Sequence, residues 1–162
     1  MRKLYLILLF TVICCDAFSQ ELLNKTKAEI NTLLAKQGGV LSMQTGIKKG
    51  SMFFKIPYNL LMYSFTKPSQ KINGVNGMQL LLNEGKCFQY TVFYLDLKYK
   101  KELIAKFSNS RLKHVDNQLL WQNKVEGYEM EINDINGIPM SSGNFIPVFN
   151  LNVRKTADKY NF

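Results

Sequence analysis

The chain has 162 residues and a formal net charge of +9, with 46% hydrophobic and 20% charged residues. These proportions fit a folded globule and exclude wholesale disorder, collagen-like repeats and coiled-coil designs. The length suits one domain, large enough to bury a core without disulfide or metal staples.

The first segment reads as an export signal. Arg2 and Lys3 precede a twelve-residue apolar run, Leu4 to Cys15, and Ala17 and Ser19 supply the small residues of a cleavage site. A bilayer-crossing helix needs about 20 residues, so the expectation is a cleaved signal peptide over residues 1–19 and no transmembrane span afterwards. The expected location is therefore the periplasm or the exterior. Cys14 and Cys15 raise lipoprotein anchoring as an alternative, but Ile13 and Cys14 stand where a small residue normally precedes the lipidated cysteine. Cleavage after Ser19 leaves 143 residues with net charge +8 and a lone cysteine, Cys87. An exported domain with one thiol has no internal disulfide, which favours a bacterial envelope or secreted protein over a disulfide-rich extracellular module.

In the remaining chain, Glu21 to Gln37 shows helical spacing of Leu22, Thr26, Ile30 and Leu33, and Gly38 and Gly39 stop it. The period then falls to two. Met52, Phe54 and Ile56 mark one strand, and Leu61, Tyr63 and Phe65 another. A loop over Lys67 to Gly77 carries Pro68 and two Asn-Gly pairs, whose residues tolerate the positive φ of tight turns. Met78 to Leu82 and Cys87 to Leu95 flank Asn83-Glu84-Gly85-Lys86 as a hairpin. Asp96 caps a second amphipathic helix that runs through Ser108. Further strands are expected at Arg111 to Val115, Gln118 to Gln122, Gly127 to Ile132 and Phe145 to Val153, with turns at Asp116-Asn117 and over Asn133 to Asn144. The expected fold class is α+β: a mainly antiparallel sheet with two amphipathic helices packed on one face, in the order helix, about four strands, helix, about four strands. Residues 20–155 form one domain on this reading and 156–162 a frayed tail. In element order alone the layout resembles the tandem helix-plus-strands arrangement of secreted proteinaceous inhibitors such as the β-lactamase inhibitory proteins; no motif carries that likeness.

The residue types present limit the chemistry the chain can perform. One histidine, His114, excludes a multi-histidine metal site or a two-histidine acid/base pair. Cys87 and His114 are the nearest approach to a thiol nucleophile and base, and Arg111 and Lys113 would favour a thiolate. The rival reading of a lone cysteine beside Phe88 is a small buried apolar residue. Glu129 and Glu131 sit two apart on a strand, so both carboxylates share a face, as paired acid/base groups would. So would the wet face of any half-exposed strand. Asp134, Asn136 and Gly137 miss the calcium-loop spacing, because position twelve from Asp134 is Phe145. Gly85-Lys86 lacks the first glycine of a phosphate loop, since Leu80 stands there. No cofactor is implied.

Charge is uneven. Val40 to Lys113 holds 12 Lys+Arg against 3 Asp+Glu, and Lys98, Lys100, Lys101, Lys106, Arg111 and Lys113 cluster on and after the second helix. They form a candidate anion-facing or partner-binding cluster, with a solvated helix face as the rival explanation. Export and a 17-to-2 excess of lysine over arginine argue against nucleic acid. Phe88, Tyr90, Tyr94 and Trp121 are a candidate aromatic recognition face, if they stand on the helix-free side of the sheet. The expectation is a non-catalytic exported protein that engages a protein or envelope component, as an inhibitor, immunity-type or accessory factor. The alternative is a small-ligand or lipid carrier of the bacterial envelope; a small hydrolase using Cys87/His114 or Glu129/Glu131 ranks last.

Overall fold

The computed structural model describes residues 22–49, 56–65, 74–115, 118–135 and 148–156. The signal segment, the strand expected at Met52 to Ile56 up to Lys55, most of the Lys67 to Gly77 loop, the Asp116-Asn117 turn, most of the Asn133 to Asn144 loop and the tail after Thr156 lie outside them.

Helix α1 spans Lys27–Ala35, followed by strands β1 (Gly39–Gln44), β2 (Asn59–Phe65), β3 (Val75–Asn83) and β4 (Lys86–Tyr94). Helix α2 (Leu97–Ser108) precedes β5 (Lys113–Val115), β6 (Leu120–Asn123), β7 (Tyr128–Asp134) and β8 (Phe149–Lys155). All eight strands form one antiparallel sheet in the order β1-β2-β3-β4-β8-β7-β6-β5. Each half is a meander, and the halves meet where β4 pairs β8 from Gln89↔Arg154 to Tyr94↔Phe149.

The α+β layout expected from the sequence, two helices packed on one face with about four strands after each, requires correction. The molecule is mostly one eight-stranded sheet, and its helices are minor elements of 9 and 12 residues. The physical cause is the β4–β8 seam. Tyr90, Val92 and Tyr94 stand opposite Val153, Leu151 and Phe149, so the two strand runs gain a continuous apolar face by joining edge to edge. The helices contribute few fully buried side chains to that face: α1 buries Ile30 and Leu34, and α2 buries Phe107.

The first helix also starts later than its periodicity suggests. Asn24 takes φ 67°, and Thr26 caps α1 through a box in which its side chain accepts from the Glu29 N–H while the Glu29 carboxylate accepts from the Thr26 N–H. Before the cap, the chain is pinned to β4: the Asn24 N–H donates to the Cys87 carbonyl at 2.8 Å and the Cys87 N–H to the Lys25 carbonyl at 2.9 Å. Such cross-strand bonds compete with helix for the same donors. The hairpin at 83–86 and the Asp96 cap are found as expected. Glu84 (φ 48°) and Gly85 (φ 76°) make the two-residue turn, and the Asp96 side chain accepts from the Lys98 N–H at 2.8 Å.

Alternation then sorts the side chains. On the first face one row runs Leu61, Leu80, Tyr90, Val153, Met130, Trp121 across β2, β3, β4, β8, β7 and β6. These residues are buried and belong to the main core. Helix contacts fall on this face: Tyr63 donates its hydroxyl proton to Asn31 Oδ1 of α1, and Phe107 of α2 packs on Trp121 with ring centroids 5.3 Å apart.

Candidate interaction surface

The second face carries a different chemistry. One row runs Leu60, Leu81, Gln89, Arg154, Glu129, Gln122, Lys113, and the next Met62, Gln79, Thr91, Asn152, Glu131, Leu120, Val115. A third, shorter row places Phe93 beside Asn150. Leu81 and Leu120 are buried, while most of the polar members are half-buried. The face therefore passes from apolar side chains on β2, through an amide and hydroxyl band on β3, β4 and β8, to an ionic group on β7 and β8. In the band, the Thr91 hydroxyl donates to Asn152 Oδ1 at 2.6 Å.

The amide oxygens Oε1 of Gln89 and Oδ1 of Asn150 are enclosed and accept no hydrogen bond from the described residues. An enclosed acceptor without a partner costs roughly 1–3 kcal/mol relative to one that is hydrogen-bonded. Arg154 organises the ionic group. Its Nε donates to Glu129 Oε1, its Nη1 lies 3.5 Å from Glu131 Oε2, and Gln122 Nε2 donates to Glu129 Oε2 at 3.2 Å.

That arrangement bears directly on the catalytic candidates. Glu129 and Glu131 do share a face, but one guanidinium bridges both, the third group that their local sequence did not reveal. Carboxylates held this way are structural anions rather than a free acid and base. Cys87 and His114 do not meet. They stand on β4 and β5, four strand spacings apart in the sheet, or about 19 Å. Cys87 is fully buried, donates its S–H to the Gln89 carbonyl at 3.4 Å, and burial pushes its thiol up to about 12. His114 is exposed on β5 and faces Trp121 at 5.1 Å. Neither proposed pair has the geometry for nucleophilic or acid/base work. Among the described residues no group of three or more His, Cys, Asp or Glu could hold a metal ion.

The aromatic recognition face also requires correction. Phe88, Tyr90, Tyr94 and Trp121 are all buried. Tyr90, Tyr94 and Trp121 are core members, with Tyr94 stacked on Phe149 at 4.6 Å. Phe88 occupies a register slip of β4, between Leu81↔Gln89 and Leu82↔Cys87. Tyr90, Tyr94 and Trp121 stand on the helix side of the sheet, so the helix-free face does not carry them. Phe93 is the half-buried aromatic that the second face retains.

The basic cluster is spread over several places. Lys100 bonds both oxygens of Asp134, at 2.6 and 2.8 Å. Lys98 lies 3.8 Å from Asp96 and above the Tyr99 ring at 4.7 Å, and its hydrogen bond to Tyr99 raises its pKa. At 100° per residue, Lys106 lies beside Glu102 on α2 while Lys101 is turned well away from Lys106. Arg111 follows the helix in a bend, and Lys113 stands on the second sheet face opposite Gln122. A more telling charge signal lies upstream: from Ile30 to Asn83 the chain has no Asp or Glu and six Lys. Counting carboxylates rather than cations would have found it.

Among the described residues, surface clefts bear on the carrier alternative. One of about 420 Å³ is lined by Leu23, Asn24, Glu126, Gly127, Tyr128 and Lys155, and one of about 270 Å³ lies beside Tyr58 and Gly85. Both open to solvent, and neither lies between helix and sheet. No helix among the described residues is long and apolar enough to cross a membrane. No family model, curated protein or solved structure matches the chain.

Proposed function

We propose that the protein is a non-catalytic, exported binding protein whose partner is another protein, engaged by the second face of the sheet. The observation that carries this reading is the half-exposed band of side-chain amides and hydroxyls, Gln79, Gln89, Thr91, Asn150 and Asn152, across β3, β4 and β8 in the middle of that face. A surface of side-chain amides, hydroxyls and one fixed ion group, with Leu60 and Met62 at its apolar end and Phe93 on β4, has the mixed character of non-obligate protein interfaces. Half-exposed amides and hydroxyls can exchange their hydrogen bonds with water for bonds to a partner, and the resulting gain is specific because it depends on register.

Photo-crosslinking tests the reading. A benzophenone amino acid is placed at Gln79 or Gln122 on the second face, and at Lys101 on α2 as a control, in cells that express the full chain. Covalent protein adducts from the first two sites and none from the third are expected. Adducts from Lys101 alone, or none from either sheet site, would refute it.

A further inference from the structure

We propose that the β1 edge takes up an extended segment of a partner protein, flanked by acidic residues, as an additional strand. This rests on the protein-binding reading above and narrows it to one edge and one partner chemistry.

β1 and β5 are the two ends of the sheet, and they differ. β5 has three residues, two of them Lys113 and His114, which is how natural sheets discourage edge pairing. β1 has six residues, and from Gly39 to Ile47 the chain carries no charge and no proline. Val40, Met43 and Ile47 are 55%, 44% and 74% exposed. The other large apolar side chains this exposed among the described residues, Leu97 and Val125, lie elsewhere in the fold. One irregularity is present: the register slips at Ser42, whose hydroxyl donates to the Met62 carbonyl at 3.1 Å. The straighter stretch therefore starts at Met43 and leads to the Lys48–Tyr58 bridge. Here the Thr45 N–H bonds inward to the Leu60 carbonyl at 3.0 Å, so alternation turns the backbone N–H and C=O of Gln44 away from β2.

The charge around this edge selects the partner. Lys27, Lys36, Lys48 and Lys49 flank β1, and no carboxylate occurs between Glu29 and Glu84. Glu129, Glu131 and Asp134 stand on β7, at the other side of the seam. The complement of a neutral apolar edge in a cationic field is an apolar strand with acidic ends. Lipid headgroups and nucleic acids also answer to lysine, but neither offers the alternating N–H and C=O groups that an open strand edge requires.

The test pans a displayed library of short random peptides against the full chain and maps the binders by amide hydrogen exchange. Selected peptides are expected to alternate apolar residues between Asp or Glu and to slow exchange at 43–48. Gln44→Pro removes the outward N–H at an edge position that tolerates proline, and should weaken binding about tenfold with the melting midpoint retained. Met43→Glu, which leaves the backbone intact, should weaken it as well through like-charge repulsion. No selected binder, protection confined to other segments, or full affinity in both variants would overturn the proposal. Phosphatidylglycerol vesicles or a single-stranded oligonucleotide that protected 43–48 equally well would also overturn it. Crosslinks at Gln79 or Gln122 together with a failed edge test would refute this inference and leave the binding reading standing.

Discussion

Cys87 offers a direct way to separate a structural thiol from a reactive one. It is fully buried on β4, with its S–H turned to the Gln89 carbonyl. Burial moves the thiol from an ordinary 9.0 to about 12, which at pH 8 cuts the thiolate fraction about a thousandfold. Enclosure adds a barrier of its own, because iodoacetamide cannot reach a sulfur with no exposed surface. Alkylation should therefore proceed only through opening of the sheet, at a rate at least about a thousandfold below that of free cysteine. The assay is mass spectrometry of the tryptic peptide 87–98, released after timed labelling of the native protein and of a denatured control. Labelling of the native protein at the rate of free cysteine would refute the burial argument and revive a thiol chemistry. The same displacement sets a pH dependence. The unfolded thiol ionises above about 9 while the folded one stays protonated, so stability falls as pH rises from 9 toward 12. Cys87→Ala should flatten that part of the stability profile.

Three further outcomes follow from local geometry. Gly74 and Gly85 share φ 76°, but a Cβ at Gly74 would stand 2.1 Å from the Tyr99 ring while one at Gly85 meets nothing. Gly85→Ala should cost about 1–2 kcal/mol in denaturant unfolding, and Gly74→Ala about 1–3 kcal/mol more; equal losses would contradict the close approach. Arg154→Met leaves Glu129 and Glu131 facing each other without their shared cation, at an expected cost of about 1–2 kcal/mol for a partly exposed group. Adding Glu129→Gln should recover part of that loss in a double-mutant cycle, and strict additivity would show that the triad is not coupled. Hydrogen bonds from Thr26, its backbone N–H first, hold the Glu29 carboxyl below its ordinary 4.5, so its contribution to stability is present above that value and lost as pH falls below it. Thr26→Ala should reduce this acid sensitivity of α1, read as helix content against pH.

Local features could be read from residue patterns but the architecture could not, and the failures have identifiable causes. The 83–86 turn and the Asp96 cap follow from side-chain chemistry confined to a few neighbouring residues, which is why they were legible. The start of α1 was not, because Asn24 and Lys25 give their backbone groups to Cys87, some sixty residues on. The β4–β8 seam that joins the two strand runs was not legible for the same reason: the pairing is long-range, and apolar alternation does not say which strand lies beside which. Phe88, Tyr90, Tyr94 and Trp121 could be recognised as aromatic strand residues, but the side of the sheet they occupy depends on where the helices dock. Arg154 joins Glu129 and Glu131 only through the β7–β8 register. The acid-free stretch from Ile30 to Asn83 was in plain view and needed only a count of the scarcer charge.

The central claim is that a protein partner covers the second face of the sheet. Hydroxyl-radical footprinting of the full chain, alone and with the partner captured by crosslinking, tests it most directly. Met62 and Phe93, half-buried on that face, and Met43 at its β1 edge should lose reactivity in the complex, while Leu97 and Tyr99 of α2 keep theirs. Protection of α2 with unchanged oxidation of Met43, Met62 and Phe93 would contradict the account.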